Sequence, residues 1–278
     1  MHSSRATIIT KADGEREYFE PDKLYSSLVN SGAGTEVSRR ITKEIGASLS
    51  DGDKTRDIYK RAFTKLRHIE KSIAARYSVK RALLELGPSG YPFELFLAEM
   101  YKKLGYETKT RVLVQGRCVE HELDVLATKD DERIAAEVKF HNNHGVKSDL
   151  KVALYVHARF EDIAGQSGVD SETDFTDRML ITNTKFTKQV ELYSACVGLR
   201  LVSWDYPAKG NLRELIELAH VHPVSCLTSI SKATKKQLMD KEVVLCRQIK
   251  ENMDVVEGLG LSRGMKERLL REINDLCV

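Results

Sequence analysis

Hydrophobic and polar positions change period several times along the 278 residues, and the changes predict the elements. In residues 121–127 apolar and polar positions alternate. Leu123 and Val125 supply one face of a predicted strand, and Glu122, Asp124 and Leu126 point the other way. Residues 133–140 repeat the pattern, with Ile134, Ala136 and Val138 on one face and Glu137 and Lys139 on the other. The charged run Thr128-Lys129-Asp130-Asp131-Glu132 between them suits a hairpin turn. That hairpin is expected to bring Asp124, Glu137 and Lys139 together above a buried layer. Around it the pattern predicts a helix over 91–106, a strand over 178–183, a helix over 186–193 and a strand over 199–204. Before it, strands at 6–11 and 16–19 flank an Asp13-Gly14 turn, and helices open at Pro21 and Lys54, with another through 72–82. After it, residues 227–238, 243–249 and 265–273 are helical.

Two breaks divide the chain. Gly87-Pro88-Ser89-Gly90 ends a helix, and a second boundary falls near His220-Val221-His222-Pro223. Three domains are expected, at 1–87, 88–221 and 222–278. The fold class is α/β and multi-domain: a mainly helical first block with a β-hairpin, a central α/β core, and a small helical third block. Composition adds little beyond this, with 41% hydrophobic residues, enough for packed cores. No apolar run is long enough to span a bilayer, and no signal-peptide pattern opens the chain, so a cytoplasmic protein without membrane partners is expected. Five scattered cysteines without Cys-x-x-Cys spacing read as reduced thiols. The net charge of +3 is uneven: residues 1–88 carry 17 basic against 12 acidic side chains, and residues 222–278 carry 10 against 8. The middle, 89–221, carries 17 against 21. A polyanion would be held mainly by the flanks, and the middle would need cations to approach phosphate.

Two carboxylates held a few ångströms apart repel unless a cation sits between them. Asp124 and Glu137 are therefore candidate metal ligands, with the Val138 carbonyl as a further oxygen. An all-oxygen set suits Mg²⁺ or Mn²⁺ rather than Zn²⁺. His141 and His144 lie in an Asn/Gly loop with no helix to set ligand geometry, so zinc is not expected there. The spacing Asp-x12-Glu-x-Lys resembles the signature of the PD-(D/E)xK restriction-endonuclease-like superfamily, and the helix with Phe93-Glu94 and Leu104-Gly105-Tyr106 resembles the opening helix of Mrr-type restriction enzymes. The resemblance implies an αβββαβ core with a long helical stretch after the third strand, and a Mg²⁺-dependent DNA endonuclease acting in restriction or phage defence. In that role Lys139 would polarise the attacking water, Glu94 would be an additional acid reaching metal through water, and Gln189 would touch phosphate or the metal-bound water. No Pro precedes Asp124, a position that carries no chemistry.

Residues 5–85 resemble the ATP-cone of ribonucleotide reductases and their transcriptional regulators, through Lys11 with Asp13-Gly14, Phe19 with Lys23-Leu24, and Ala75-Arg76-Tyr77. The resemblance implies a regulatory ATP or dATP, with Lys11 and Lys23 on the phosphates, Tyr77 near base or ribose, and a homo-oligomer that responds to nucleotide. Ala12 stands where that family usually has Arg. No Walker A loop occurs, so nucleotide would be a signal rather than a fuel. The third block looks like a tandem helix-hairpin-helix module, whose turns would offer backbone N–H groups to DNA phosphates at Thr228-Ser229-Ile230-Ser231-Lys232 and around Gly258 and Gly260. Two alternatives stay open from sequence: a non-catalytic nucleotide-sensing DNA-binding regulator, and a repair or RNA-processing nuclease on the same fold.

Overall fold

The computed structural model describes residues 7–143, 145–165 and 174–277. Strands β1 (Ile8–Thr10) and β2 (Arg16–Tyr18) pair antiparallel around a turn in which Gly14 takes φ +88°. Four helices follow, α1 (Pro21–Asn30), α2 (Thr35–Ala47), α3 (Thr55–Ile69) and α4 (Lys71–Leu84). Proline in the first turn of α1 lacks only an N–H that would be unpaired there anyway. Leu24 and Leu28, Ile41 and Ile45, and Ile58, Ala62 and Leu66 recur at helical spacing and meet in one buried cluster.

The central unit runs α5 (Tyr91–Lys103), β3 (Glu107–Gln115), β4 (Glu120–Lys129), β5 (Glu132–Lys139), β6 (Lys147–Ser148), α6 (Leu150–Ala164), β7 (Asp177–Thr182), β8 (Lys185–Phe186), α7 (Lys188–Val197), β9 (Arg200–Val202) and α8 (Leu212–Leu218). Five strands form a mixed sheet in the order β3-β4-β5-β7-β9, antiparallel up to β5 and parallel from there. Phe93, Phe96, Leu97 and Met100 of α5 pack with Val125, Ala127, Ile134, Ala136, Met179 and Ile181. A second cluster joins Ala153, Val156 and Phe160 of α6 and Val190 of α7 to Leu123, Ala135, Leu180 and Leu201. The sheet is thus buried on both sides, as parallel strands require.

Several boundaries differ from the sequence expectation. The helix predicted over 91–106 ends at Lys103, because Gly105 turns the chain at φ +91°. The helix predicted from 186 starts at Lys188, since Lys185 and Phe186 pair with Lys147 and Ser148. Strand β3 was not singled out by its pattern. Leu123 and Val125, expected on one apolar face, enter different clusters. The β3–β4 ladder passes from Thr110–Val125 to Val112–Leu123 in unchanged register, and Arg111 between them takes φ +54°.

The third block packs α9 (Lys232–Asp240), α10 (Cys246–Glu251), α11 (Met253–Glu257) and α12 (Arg263–Leu276) around Leu238, Ile249, Val256, Leu269 and Ile273. Helix α4 ties the units together: Ile73 and Ala74 enter the N-terminal cluster, Val79 and Leu83 the central one, and Ala75 and Ala82 the C-terminal one. The turn expected to offer backbone N–H groups at Thr228 and Ser229 does not do so. Both N–H groups, and the Thr228 hydroxyl, donate to the buried Glu272 carboxylate at 2.7–2.9 Å. The turn at Gly258–Gly260, by contrast, leads into α12 with Arg263 almost fully exposed and no side-chain cap on the helix. Cys226 and Cys246 are buried with their sulfurs 4.0 Å apart, while Cys118 and Cys196 are exposed. Among the described residues no helix is long and apolar enough to cross a membrane.

Candidate metal centre

The β4–β5 ladder runs from Lys129–Glu132 to Val125–Ala136 and stops there. At this fork Asp124 turns its carboxylate to β5, and Oδ2 accepts the Val138 N–H at 2.7 Å. Glu137 flanks that contact on β5, and Glu94 approaches from α5, held by the buried Phe93, Phe96 and Leu97 around it. Three carboxylates thus share one partly buried site. Burial, then the charge of Asp124, pushes the Glu137 carboxyl up to about 7. The same two causes, in the same order, push Glu94 up to about 7. Asp124 is raised by burial, against the opposing Val138 hydrogen bond. Neighbouring carboxylates in a poorly hydrated site disfavour each other's ionisation, so the site favours added positive charge.

Two arginines supply part of it. Arg159 of α6 donates to Glu137, to the Glu122 carbonyl at 3.0 Å and to the Tyr155 hydroxyl. Arg111 lies 3.7 Å from the Glu94 carboxylate and stacks over the Tyr91 ring at 4.0 Å. Even so, Glu94 Oε2 is buried without a hydrogen-bond partner. A buried carboxylate oxygen whose one cationic neighbour, Arg111, stands 3.7 Å away, beside two further carboxylates, matches what a hard divalent cation and its waters would satisfy. Among the described residues no three His, Cys, Asp or Glu side chains form a ready-made metal cage. The expected donors are instead two carboxylates and one backbone oxygen, with Arg159 on Glu137.

Lys139 ends β5 with its side chain exposed, paired across the sheet to Thr182, and its charge reaches Glu137. The structure therefore brings Asp124, Glu137, Val138 and Glu94 together, with Lys139 at the rim. Gln189 is different: it is exposed in the first turn of α7 and makes no hydrogen bond to these acids. His141 contacts Ser148 Oγ at 3.1 Å, and His144 lies outside the described residues. Arg111 and Arg159 were not anticipated, because each reaches the acids through a backbone irregularity or a helix distant in sequence.

In the N-terminal unit Lys11 and Lys23 meet at Glu17, at 2.8 and 3.6 Å, and are further paired with Glu15 and Glu20. Hydrogen bonds to these acids raise both ammonium pKa values, led by Glu17 for Lys11 and Glu20 for Lys23. Tyr77 does not present a free face: it stacks on Tyr59 at 5.1 Å, and burial raises its phenol.

Residues 222–277 match the family model described as AF1548-like, C-terminal. An uncharacterized protein of Archaeoglobus fulgidus is 36% identical over 177 residues, which span 63% of this chain and 97% of that protein. The chain belongs to the AF1548-like family. A crystal structure of the protein of unknown function AF1548 superposes with a TM-score of 0.55 at 34% identity, covering 68% of this chain and 98% of that one. Can2 from Sulfobacillus thermosulfidooxidans, solved with cyclic tetra-adenylate, gives a TM-score of 0.29 at 11% identity over 79% of this chain and 69% of that one, too low to bear on fold or ligand.

Proposed function

We propose that this chain is a metal-dependent DNA endonuclease of PD-(D/E)xK type, hydrolysing phosphodiester bonds with Mg²⁺ or Mn²⁺, and acting in restriction or phage defence. The observation that carries the reading is the Asp124–Glu137–Glu94 cluster at the β4–β5 fork, short of positive charge, with Lys139 at its rim. The order of α5, β3, β4, β5, α6 and β7 agrees with the αβββαβ core that the signature implies. In this reading Asp124, Glu137 and the Val138 carbonyl would hold the cation, and Glu94 would supply a further acid beside it. A bound divalent ion would neutralise the scissile phosphate and lower the pKa of its water. Lys139 would orient the attacking water and offset charge developing on the phosphate. A cation held there would have to share Glu137 with Arg159 or displace it. The Gly258–Gly260 turn and Arg263 offer a phosphate contact to the duplex. The N-terminal unit would act as an ATP-cone, sensing ATP or dATP and shifting a homo-oligomeric assembly.

A second reading, a non-catalytic nucleotide-sensing DNA-binding regulator, draws on Arg159 already occupying Glu137. Calorimetry with Mn²⁺ separates the two. The nuclease reading expects binding by the wild-type chain that Asp124→Ala removes, together with Mn²⁺-dependent cutting of duplex DNA. The regulator reading expects DNA binding with neither.

A further inference from the structure

Three cysteines converge in the C-terminal unit, away from the acid cluster. Cys226 closes a single 3₁₀ turn, Val224–Cys226, and Cys246 opens α10. Both are buried, with their sulfurs 4.0 Å apart, and the partly buried Cys277 packs against the same core. Backbone bonds clamp the two segments together: the Val224 N–H donates to the Val244 carbonyl and the Cys246 N–H to the His222 carbonyl, each at 2.8 Å. Joining the sulfurs therefore asks for a closure of about 2 Å by side-chain rotation, since a disulfide bond is about 2.0 Å long. A thiol pair buried in an apolar core is inert unless an oxidant can reach it.

Cys226 has such a route. A cleft of about 250 Å³ between α3, α4 and the start of the third block reaches it, lined also by Ser225, Arg67, Arg81 and Lys235. That volume is below the usual range of small-molecule sites, so it suits a small hydroperoxide rather than a bulky disulfide. The Lys235 ammonium is fixed in the cleft by the Ser225 carbonyl at 2.7 Å. Burial lowers its pKa, while negative charge on Glu85 and on Cys226 raises it, so its charge reaches the sulfur. A cation beside a thiol favours the nucleophilic thiolate. Cys246 is the opposite case. It does not line the cleft, its thiol donates to the Pro223 carbonyl at 3.5 Å, and burial, then the hydrogen bond to Cys226, pushes its pKa well up. One sulfur is reachable, and the other is kept protonated behind it.

We propose that Cys226 and Cys246 form a peroxide-reactive dithiol, in which Cys226 takes an oxygen atom from a small hydroperoxide and Cys246 resolves the product as a disulfide. The Cys226 sulfur attacks one oxygen of the hydroperoxide. An S–O bond forms as the O–O bond breaks, and the alcohol or water that leaves carries the proton given up by Cys226. Cys246 then attacks the sulfenic sulfur: the S–S bond forms as the S–O bond breaks, and the hydroxyl leaves with the Cys246 proton as water. Two thiols and one hydroperoxide thus give one disulfide, one alcohol or water, and one further water. The bond closes the segment 226–246, which carries α9 and the turn whose Thr228 and Ser229 N–H groups bind Glu272 of α12. A cross-link across such a loop restricts the unfolded chain more than the folded one, so the oxidised protein should be the more stable form. The dithiol is independent of the nuclease reading.

The test treats the full chain with hydrogen peroxide under native conditions, in a background of Cys118→Ser and Cys196→Ser that removes the exposed thiols. Alkylation and non-reducing peptide mapping by mass spectrometry follow. The expected result is a cross-linked Cys226–Cys246 peptide pair, reversed by dithiothreitol, in a protein that melts higher than its reduced form. With Cys246→Ala added, dimedone should trap Cys226 as the sulfenic acid. Lys235→Met should slow linking about tenfold near pH 7 and by less near pH 9, where hydroxide forms the thiolate unaided; equal rates at both pH values would overturn the part given to Lys235. No cross-link, a link from Cys226 to Cys277, a link that appears only in the urea-unfolded chain, or a linked protein that melts lower than the reduced one would overturn the proposal.

Discussion

Replacing Glu137 by Gln should stabilise the metal-free protein at alkaline pH. The substitution keeps shape and removes one of three crowded carboxylates. Its folded pKa of about 7 lies above the ordinary 4.5. For an acid raised on folding, the native state binds the proton more tightly than the unfolded chain. The cost of holding it ionised therefore appears as pH climbs from about 4.5, and is complete above about 7. At roughly 1.4 kcal/mol per pKa unit, a shift of this size corresponds to about 3 kcal/mol at pH 8. The Arg159 hydrogen bond would weaken when its acceptor becomes neutral, which takes back about 1 kcal/mol. A net gain of about 2 kcal/mol should raise the melting temperature by about 4–8 °C at pH 8, and by little at pH 5. Thermal melts of wild type and Glu137→Gln across pH 5–8 in EDTA measure this directly. A variant that melts lower than wild type at pH 8 would mean that Arg159 overcompensates Glu137, and the site would not be short of positive charge.

Other consequences follow from the same geometry. Magnesium should raise the wild-type melting temperature more at pH 8 than at pH 5, and should not do so in Asp124→Ala, as differential scanning fluorimetry would show. Lys139→Ala should lower DNA cleavage by roughly 10²- to 10⁴-fold while leaving Mn²⁺ affinity unchanged; a loss confined to DNA affinity would make Lys139 a docking residue. Glu272→Ala should cost about 2–4 kcal/mol by stranding the Thr228 and Ser229 N–H groups, read as a lower midpoint in urea. Arg263→Ala should weaken DNA binding and reduce its salt slope by about one, measured by fluorescence anisotropy, whereas Thr228→Ala should leave that slope alone.

The alternation of residues 133–140 was enough to place Glu137 and Lys139 opposite Ala136 and Val138, because period two follows from strand geometry alone. The same rule marked Leu123 and Val125 as buried, but it could not show that the two enter different clusters, which only the helices packed on the sheet decide. Arg159 lies 22 residues beyond Glu137 on a helix whose apolar stripe says where it packs, not which polar residue reaches back over the sheet. Helix α4 reads as the end of the first block, yet its buried residues enter three separate cores. Glu272 looked like one charge among many on a helix with a strong amphipathic pattern; only the tertiary fold shows it closing the turn at Thr228.

In the proposed nuclease Asp124 and Glu137 would hold the catalytic divalent cation. Supercoiled plasmid incubated with Mg²⁺ or Mn²⁺, with wild type beside Asp124→Ala and Glu137→Gln at matched concentration, tests it most directly. Nicking or linearisation by wild type alone, abolished by EDTA, is the expected result. Equal cutting by the two variants, or intact plasmid with wild type under both metals with and without ATP, would contradict it.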